Sequence, residues 1–181
     1  MPDTLTREDK ISEAFLVIGS QYYALARYSA EQFYLPVSVT LFHHAIEMLV
    51  KGFLSKRKAT TELKRIGHDL ETLWEMFKSE SNIKELARFD TAISHLNRVE
   101  ILRYPESIVD DGFALNLRIG TPIPLVLPGT EKLPSYSVDV SDLDEIATAV
   151  FKSCNVPVTP YFKDAPTELK NALPLSLTPQ E

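Results

Sequence analysis

Apolar residues recur at helical spacing through the first hundred residues and predict a series of helices. The predicted helices cover residues 6–29, 37–57, about 69–77 and 82–99. A last helix, of about four turns, comes much later and has apolar positions up to Cys154. Thr6 and Asp9 match a capping box at the start of the first helix. Pro36 suits the first position of the second helix, and Asp69 suits the N-cap of the third.

The helix predicted over residues 37–57 is apolar around most of its circumference, which is typical of a central, buried helix. Successive residues advance by about 100°, which places its polar residues in a stripe roughly 100° wide. The stripe contains Thr40, His43, His44, Glu47 and Lys51. Because a polar stripe on a buried helix must face a partner, a cleft or a strip of solvent, these residues are candidates for ligand binding.

The pattern changes beyond the fourth helix. Residues 113–119 alternate between apolar and polar positions and predict a strand with one buried face. Residues 123–127 or 136–140 could pair back with it, and the sequence does not choose between them. The predicted fold is therefore mainly α: an antiparallel bundle of four or five helices in one domain, residues 6–154. A small β-hairpin is expected within an insertion, residues 107–140, before the last helix.

The composition is that of a soluble globular protein, with 44% apolar and 24% charged residues among 181. The net charge of −6 argues against non-specific coating of nucleic acid, which depends on neutralising phosphates. Basic residues nevertheless concentrate in residues 51–65, where Glu62 is the only acidic residue. They are Lys51, Lys56, Arg57, Lys58, Lys64 and Arg65. This cluster predicts either an anion-binding surface or a solvated loop and helix end.

Further features bear on cellular location and on the end of the chain. Cys154 is the only cysteine, so no intramolecular disulfide can form and a cytoplasmic setting is expected. No apolar run approaches the roughly 20 residues that span a bilayer, and the first residues lack a signal-peptide pattern. Residues 155–181 are rich in proline and predict a tail that either packs on the domain or is disordered.

Three segments occur in an order that carries a family resemblance. Residues 42–54 read FHHAIEMLVKGFL, residues 67–73 read GHDLETL, and residues 102–105 read LRYP. In this order they resemble a HEPN domain (higher eukaryotes and prokaryotes nucleotide-binding), over about residues 10–153 without the insertion. The resemblance implies an antiparallel helical bundle that forms a homodimer.

The HEPN resemblance implies three roles. Some members are metal-independent ribonucleases, often toxins neutralised by an antitoxin partner. Others accompany nucleotidyltransferase domains, and others look non-enzymatic and are credited with nucleotide binding or assembly. The ribonucleases carry an arginine and a histidine with four to six residues between them, usually near the start of the last helix. Here the matching region, from Arg103 onward, contains no histidine.

Arg88 and His95 satisfy the same spacing at another place in the chain, within the predicted fourth helix. Seven positions along a helix return to within about 20° of the same direction, so both side chains could reach one phosphate. Histidine titrates near neutral pH and arginine binds phosphate through two hydrogen bonds. Both residues are expected to point away from the apolar side of their helix, toward solvent or an interface. The pair is the candidate catalytic site, although its position differs from the family pattern.

The ligand-binding candidates are the stripe residues and the arginine of the RYP segment. They are Thr40, His43, His44, Glu47, Lys51 and Arg103. Glu47 and Lys51 are in the favourable i, i+4 order for an ion pair. His43 and Glu47 could share a metal, but zinc sites use three or four ligands, so no metal or cofactor is expected. His68 is interpreted as a packing and capping residue that bonds back to another helix.

The sequence thus favours a HEPN-like binding and assembly module without nuclease activity, forming a homodimer and accepting a nucleotide or RNA. One alternative is a toxin-type ribonuclease that uses Arg88 and His95 from two protomers, with an antitoxin or nucleotidyltransferase partner. Another is a structural domain whose proline-rich tail binds a second protein.

Overall fold

A computed structural model describes residues 5–99, 104, 106, 109, 114–120 and 135–179, and within them the chain is mainly helical. The described elements comprise eight α-helices, a 3-10 turn (Leu86–Phe89) and two strands. In chain order they are α1 (Arg7–Glu31), α2 (Leu35–Leu54), α3 (Thr60–Ile66), α4 (Leu70–Glu80), α5 (Asp90–Arg98), β1 (Ala114–Arg118), β2 (Ser135–Asp139), α6 (Val140–Cys154), α7 (Thr159–Phe162) and α8 (Thr167–Asn171). The mainly helical class is confirmed.

The first two helices form an antiparallel pair. The Ser12 hydroxyl of α1 donates to the carbonyl oxygen of Gly52 at 2.8 Å, and farther along α1 the Tyr23 ring packs on Phe42. Residue numbers therefore rise along α1 as they fall along α2. A Cβ added to Gly52 would lie 2.9 Å from Leu16 Cδ2. Any side chain at this position would force Leu16 to shift, so glycine favours the close approach of the two helices.

Helix α2 is the centre of the molecule, as its sequence predicts. It packs against α1, α4, α5, α6 and β1. Its apolar side chains, Phe42, Ile46, Leu49 and Leu54 among them, are fully buried. Within the described residues, α2 alone is long and apolar enough to cross a membrane, contrary to the expectation that no run approaches that length. However, 72% of its most apolar window is buried inside the protein, as in the core helix of a soluble protein.

The expected β-hairpin is wrong, because the two strands pair in parallel. Ala114 lies opposite Ser135 and Arg118 lies opposite Asp139. A parallel pair needs a connection of about a dozen residues or more, and residues 119–134 provide that length. The strand predicted over residues 113–119 is confirmed as β1, and its partner corresponds to the segment predicted at 136–140. The alternative partner, residues 123–127, lies outside the described residues.

Two local predictions also differ from the structure. The helix predicted over residues 82–99 begins later, as the 3-10 turn followed by α5. The hydroxyl of Ser81 accepts a hydrogen bond from the amide of Ile83 at 3.1 Å, a local bond that competes with helix formation. The connection after α2 contains α3, which the sequence did not predict because Leu63 is the only residue of α3 that is buried.

The C-terminal tail packs on the domain, which resolves one alternative left open by the sequence. Phe162 and Leu177 are buried in the core. The guanidinium of Arg27 in α1 donates to the carbonyl oxygen of Ala172 at 2.7 Å and pairs with Asp144 of α6 at 3.2 Å. The expected last helix, α6, is therefore followed by two short helices that close over α1.

Candidate functional site

A buried carboxylate occupies the middle of the polar stripe on α2. Glu47 is completely buried. Its Oε1 accepts a hydrogen bond from Lys51 Nζ at 2.6 Å, one helical turn along. The same ammonium donates to the carbonyl oxygen of Gly67 at 2.6 Å. The ion pair predicted from the i, i+4 spacing is confirmed, and it also ties α2 to the turn between α3 and α4.

Three imidazoles lie within 4 Å of the other oxygen of the same carboxylate: the buried His43, whose Nε2 is 3.8 Å away, and two that reach the surface. His68 Nδ1 lies 2.9 Å from Glu47 Oε2, so His68 donates to it. His44 Nδ1 lies 3.6 Å from the same oxygen. The side chain of His68 is 55% exposed and that of His44 is 21% exposed. The cluster of His44, Glu47 and His68, called here the Glu47 cluster, is therefore buried at its carboxylate and open to solvent at its imidazoles.

The backbone of the turn between α3 and α4 holds His68 beside Glu47. Gly67 has φ +67° and ψ −123°, a combination that glycine adopts without strain and other residues do not. Asp69 then caps α4, because its carboxylate accepts from the amide of Thr72 at 3.1 Å. The capping role predicted for Asp69 is confirmed, as is the bond from His68 back to another helix.

The electrostatics of the Glu47 cluster keep its carboxylate ionised. Burial alone would raise the pKa of Glu47, but hydrogen bonds from His44, Lys51 and His68 outweigh burial and hold the pKa at about 2. Glu47 is therefore an anion at every physiological pH. One of its oxygens accepts from an ammonium, and the other faces the imidazoles.

The remaining stripe residues have internal contacts. His43 is buried, and its Nδ1 donates to the carbonyl oxygen of Leu96 in α5 at 3.0 Å. The Thr40 hydroxyl donates to the carbonyl oxygen of Pro36 at 3.0 Å. His44 is thus the stripe residue that reaches toward solvent beside His68. Arg103, the other predicted ligand-binding residue, lies outside the described residues.

Arg88 and His95 have separate partners. Arg88 lies in the 3-10 turn, exposed as expected, and pairs with Glu145 of α6. His95 lies in α5, and its Nδ1 is 2.6 Å from the carbonyl oxygen and 3.1 Å from the amide nitrogen of Ser137 in β2. The expectation that His95 faces open solvent or an interface between protomers differs from this arrangement, because it is half-buried against β2.

A second polar feature is a basic pocket of about 420 Å³ at the junction of α1, α2 and α3. Five of its lining residues are cationic: Arg7, Lys56, Arg57, Lys58 and Lys64. One lining residue, Glu8, is acidic. The pocket combines four members of the basic cluster predicted from residues 51–65 with Arg7 from the start of α1.

Sequence reasoning missed two contributions to these sites. From the sequence, His68 is expected to pack and to bond back to another helix but is not connected with Glu47; the GHD turn that follows a polar helix face is the signal that could have connected them. Arg7 is distant in sequence from the basic window, and no local pattern connects the two. Comparisons with protein-family models, curated proteins and solved structures found no match.

Proposed function

We propose that this chain is a HEPN-like binding and assembly module that binds the phosphates of RNA or of a nucleotide and lacks nuclease activity. The basic pocket is the observation that carries the proposal. Its volume of about 420 Å³ is in the range of small-molecule sites, roughly 300–1,000 Å³. Its excess of cations would attract a phosphate even though the whole chain is acidic.

The existing ion pairs of the basic pocket leave its cations available to a ligand. Lys56 pairs with Asp9 at 2.8 Å, and Lys58 pairs with Glu80 at 2.6 Å. Exposed pairs of this kind contribute only about 0–1 kcal/mol each, so a phosphate can compete for these lysines. Arg7 and Lys64 are exposed, and no acidic side chain in the described part of the chain forms an ion pair with either.

The proposed lack of nuclease activity is supported by the contacts of His95. Its Nδ1 is bonded to the backbone of Ser137, whereas the ion pair of Arg88 with Glu145 is exposed. A general acid or base must lie within hydrogen-bond reach of the proton it transfers. Because Nδ1 of His95 is bonded to the backbone of β2, only its other ring nitrogen remains for proton transfer, which favours a protein without nuclease activity.

The assembly part of the proposal is a homodimer. Large apolar side chains are exposed together around the turn between α1 and α2: Phe33 is 81%, Tyr34 is 64% and Val37 is 55% exposed. Exposed apolar groups that lie close together often mark a protein–protein contact. We assign this surface to a second copy of the chain, since a twofold dimer would cover the same residues on both protomers.

Binding of a labelled single-stranded RNA, measured by fluorescence anisotropy across a salt series, tests the basic pocket. We expect the double variant Arg7→Glu/Lys64→Glu to bind at least about tenfold more weakly. The slope of the logarithm of its binding constant against the logarithm of salt concentration should also be shallower by roughly 1.4. Each lost phosphate contact contributes about 0.7 to this slope for single strands. Competition by ATP would indicate that a free nucleotide occupies the same pocket.

The matched control is Lys84→Glu/Lys163→Glu, which makes the same change in net charge at exposed lysines outside the pocket. It should bind RNA as the wild type does. Equal weakening of both double variants would attribute binding to net charge and overturn the pocket as the site. Absence of binding by the wild type at low salt would overturn the proposed function itself.

A further inference from the structure

Three donor atoms of the kinds that bind transition metals converge in the Glu47 cluster. Each of His44, Glu47 and His68 offers one atom, and the three atoms lie within 4.8 Å of one another. They come from α2 and from the turn before α4, which are brought together by the fold. The sequence by itself offers only two candidate ligands, His43 and Glu47, which are too few for a zinc site.

The separations match those around a single ion. Zinc lies about 2.0–2.2 Å from histidine nitrogen and carboxylate oxygen, so two ligands of a tetrahedral site are roughly 3.3 Å apart. In the Glu47 cluster the nitrogens of His68 and His44 lie 2.9 Å and 3.6 Å from Glu47 Oε2. One distance is slightly shorter and one slightly longer than the metal geometry requires, and all three donor atoms lie within 4.8 Å of one another, so rotation of the imidazoles would bring them around one ion.

The carboxylate is held in place while the imidazoles can adjust. Lys51 fixes Glu47 Oε1 at 2.6 Å and leaves Oε2 directed toward the histidines. Partners that orient a metal ligand in this way are a regular feature of metal sites. His68 is more than half exposed and His44 is one-fifth exposed, so both rings have room to turn, and solvent can reach the remaining coordination positions.

We propose that His44, Glu47 and His68 form a binding site for a divalent transition-metal ion, with water or an oxygen ligand completing the coordination. Two imidazoles and one carboxylate suit zinc or ferrous iron better than magnesium or calcium, which favour oxygen ligands alone. In the metal-free protein His68 Nδ1–H donates to Glu47 Oε2. On binding, that proton moves to the solvent-facing Nε2, and the Nδ1 lone pair coordinates the ion, so a neutral imidazole undergoes no net loss of a proton.

The nearest cation weakens this site without preventing binding. Lys51 pairs with the same carboxylate, so its positive charge repels the ion. The affinity should therefore be lower than that of a structural zinc site with several thiolates. This arrangement suits a reversible site in which the metal is exchanged with solvent. The inference does not depend on the basic pocket, because the two sites share no residue.

Titration of chelator-treated protein with Co²⁺, followed by its visible absorption and by calorimetry, tests the site. The wild type should bind about one equivalent per protomer, and Zn²⁺ should displace the cobalt. His68→Ala and His44→Ala should each weaken binding at least about tenfold, since even losing an outer partner of a ligand typically costs 10–100-fold. Zn²⁺ should raise the thermal unfolding midpoint of the wild type but not of His68→Ala.

The histidine control is His95→Ala, which removes an imidazole outside the Glu47 cluster. It should retain the cobalt spectrum and the stoichiometry of the wild type. Retention of full affinity by both His68→Ala and His44→Ala would overturn the proposal. So would failure of the wild type to bind either metal in the calorimeter, because the Glu47 cluster would then be a hydrogen-bonded network alone.

Discussion

At the scale of single residues, the buried pairing of Glu47 with Lys51 is sensitive to substitution of either partner. Glu47 is fully buried and Lys51 is 7% exposed, so neither charge is well solvated. A protein with a buried ion pair is typically little more stable than one with apolar side chains in place of both partners. Removal of one partner, however, leaves an uncompensated charge in the interior. The i, i+4 spacing predicted the pair, whereas its burial depends on α4 and on the turn at Gly67.

The first prediction concerns this pair. Lys51→Met should lower the free energy of unfolding by about 3–5 kcal/mol, because the Glu47 carboxylate loses its ammonium partner inside the protein. Denaturant titration measures the change. Lys84→Met, at an exposed lysine, should change stability by no more than about 0.5 kcal/mol. If the two variants had similar stabilities, Glu47 would have to be compensated by its histidine partners alone.

At the scale of elements, His95 is a link between α5 and the small sheet. Its Nδ1 lies within hydrogen-bond distance of the Ser137 backbone, and either tautomer can hold β2 against α5. The spacing of Arg88 and His95 in the sequence suggested a shared phosphate site. That spacing could not reveal that the two residues fall in different helical segments with separate partners on α6 and β2.

The second prediction follows from this link. His95→Ala should lower the free energy of unfolding by about 1–2 kcal/mol, because it removes a side chain–backbone hydrogen bond in a half-buried position. Thr91→Ala, at an exposed position of the same helix, should be nearly neutral. Neither the wild type nor His95→Ala should cleave a mixed RNA pool. Cleavage by the wild type that disappears in His95→Ala would instead establish the ribonuclease alternative.

At the scale of the whole molecule, the exposed turn between α1 and α2 bears on assembly. Phe33 has φ +61°, and a bulky residue in the left-handed region costs about 1–2 kcal/mol. An exposed, strained aromatic residue contributes little to folding of the protomer. The proposed contact with a second copy would cover this side chain.

The third prediction separates folding from assembly. Phe33→Asn should leave protomer stability unchanged or raise it, because asparagine tolerates the left-handed region. The same variant should shift the dimer toward monomer in light scattering over a range of concentrations. Leu175→Asn removes another highly exposed apolar side chain, 88% exposed in the tail, and should leave assembly unchanged. A wild-type protein that is monomeric at every concentration would contradict the homodimer.

The longer helices and the caps at Thr6 and Asp69 followed from short-range sequence, whereas α3, the two short helices of the tail and the sites depended on the path of the whole chain. Helical periodicity and the capping signals at Thr6 and Asp69 act over three or four residues, so local sequence contains them. The parallel partner of β1, the packing of the tail and the approach of His68 to Glu47 join segments that are distant in sequence. Such contacts depend on how α2 is surrounded by its neighbours. For that reason, the stripe on α2 could be predicted from periodicity, while its third metal-binding atom was revealed only by tertiary packing.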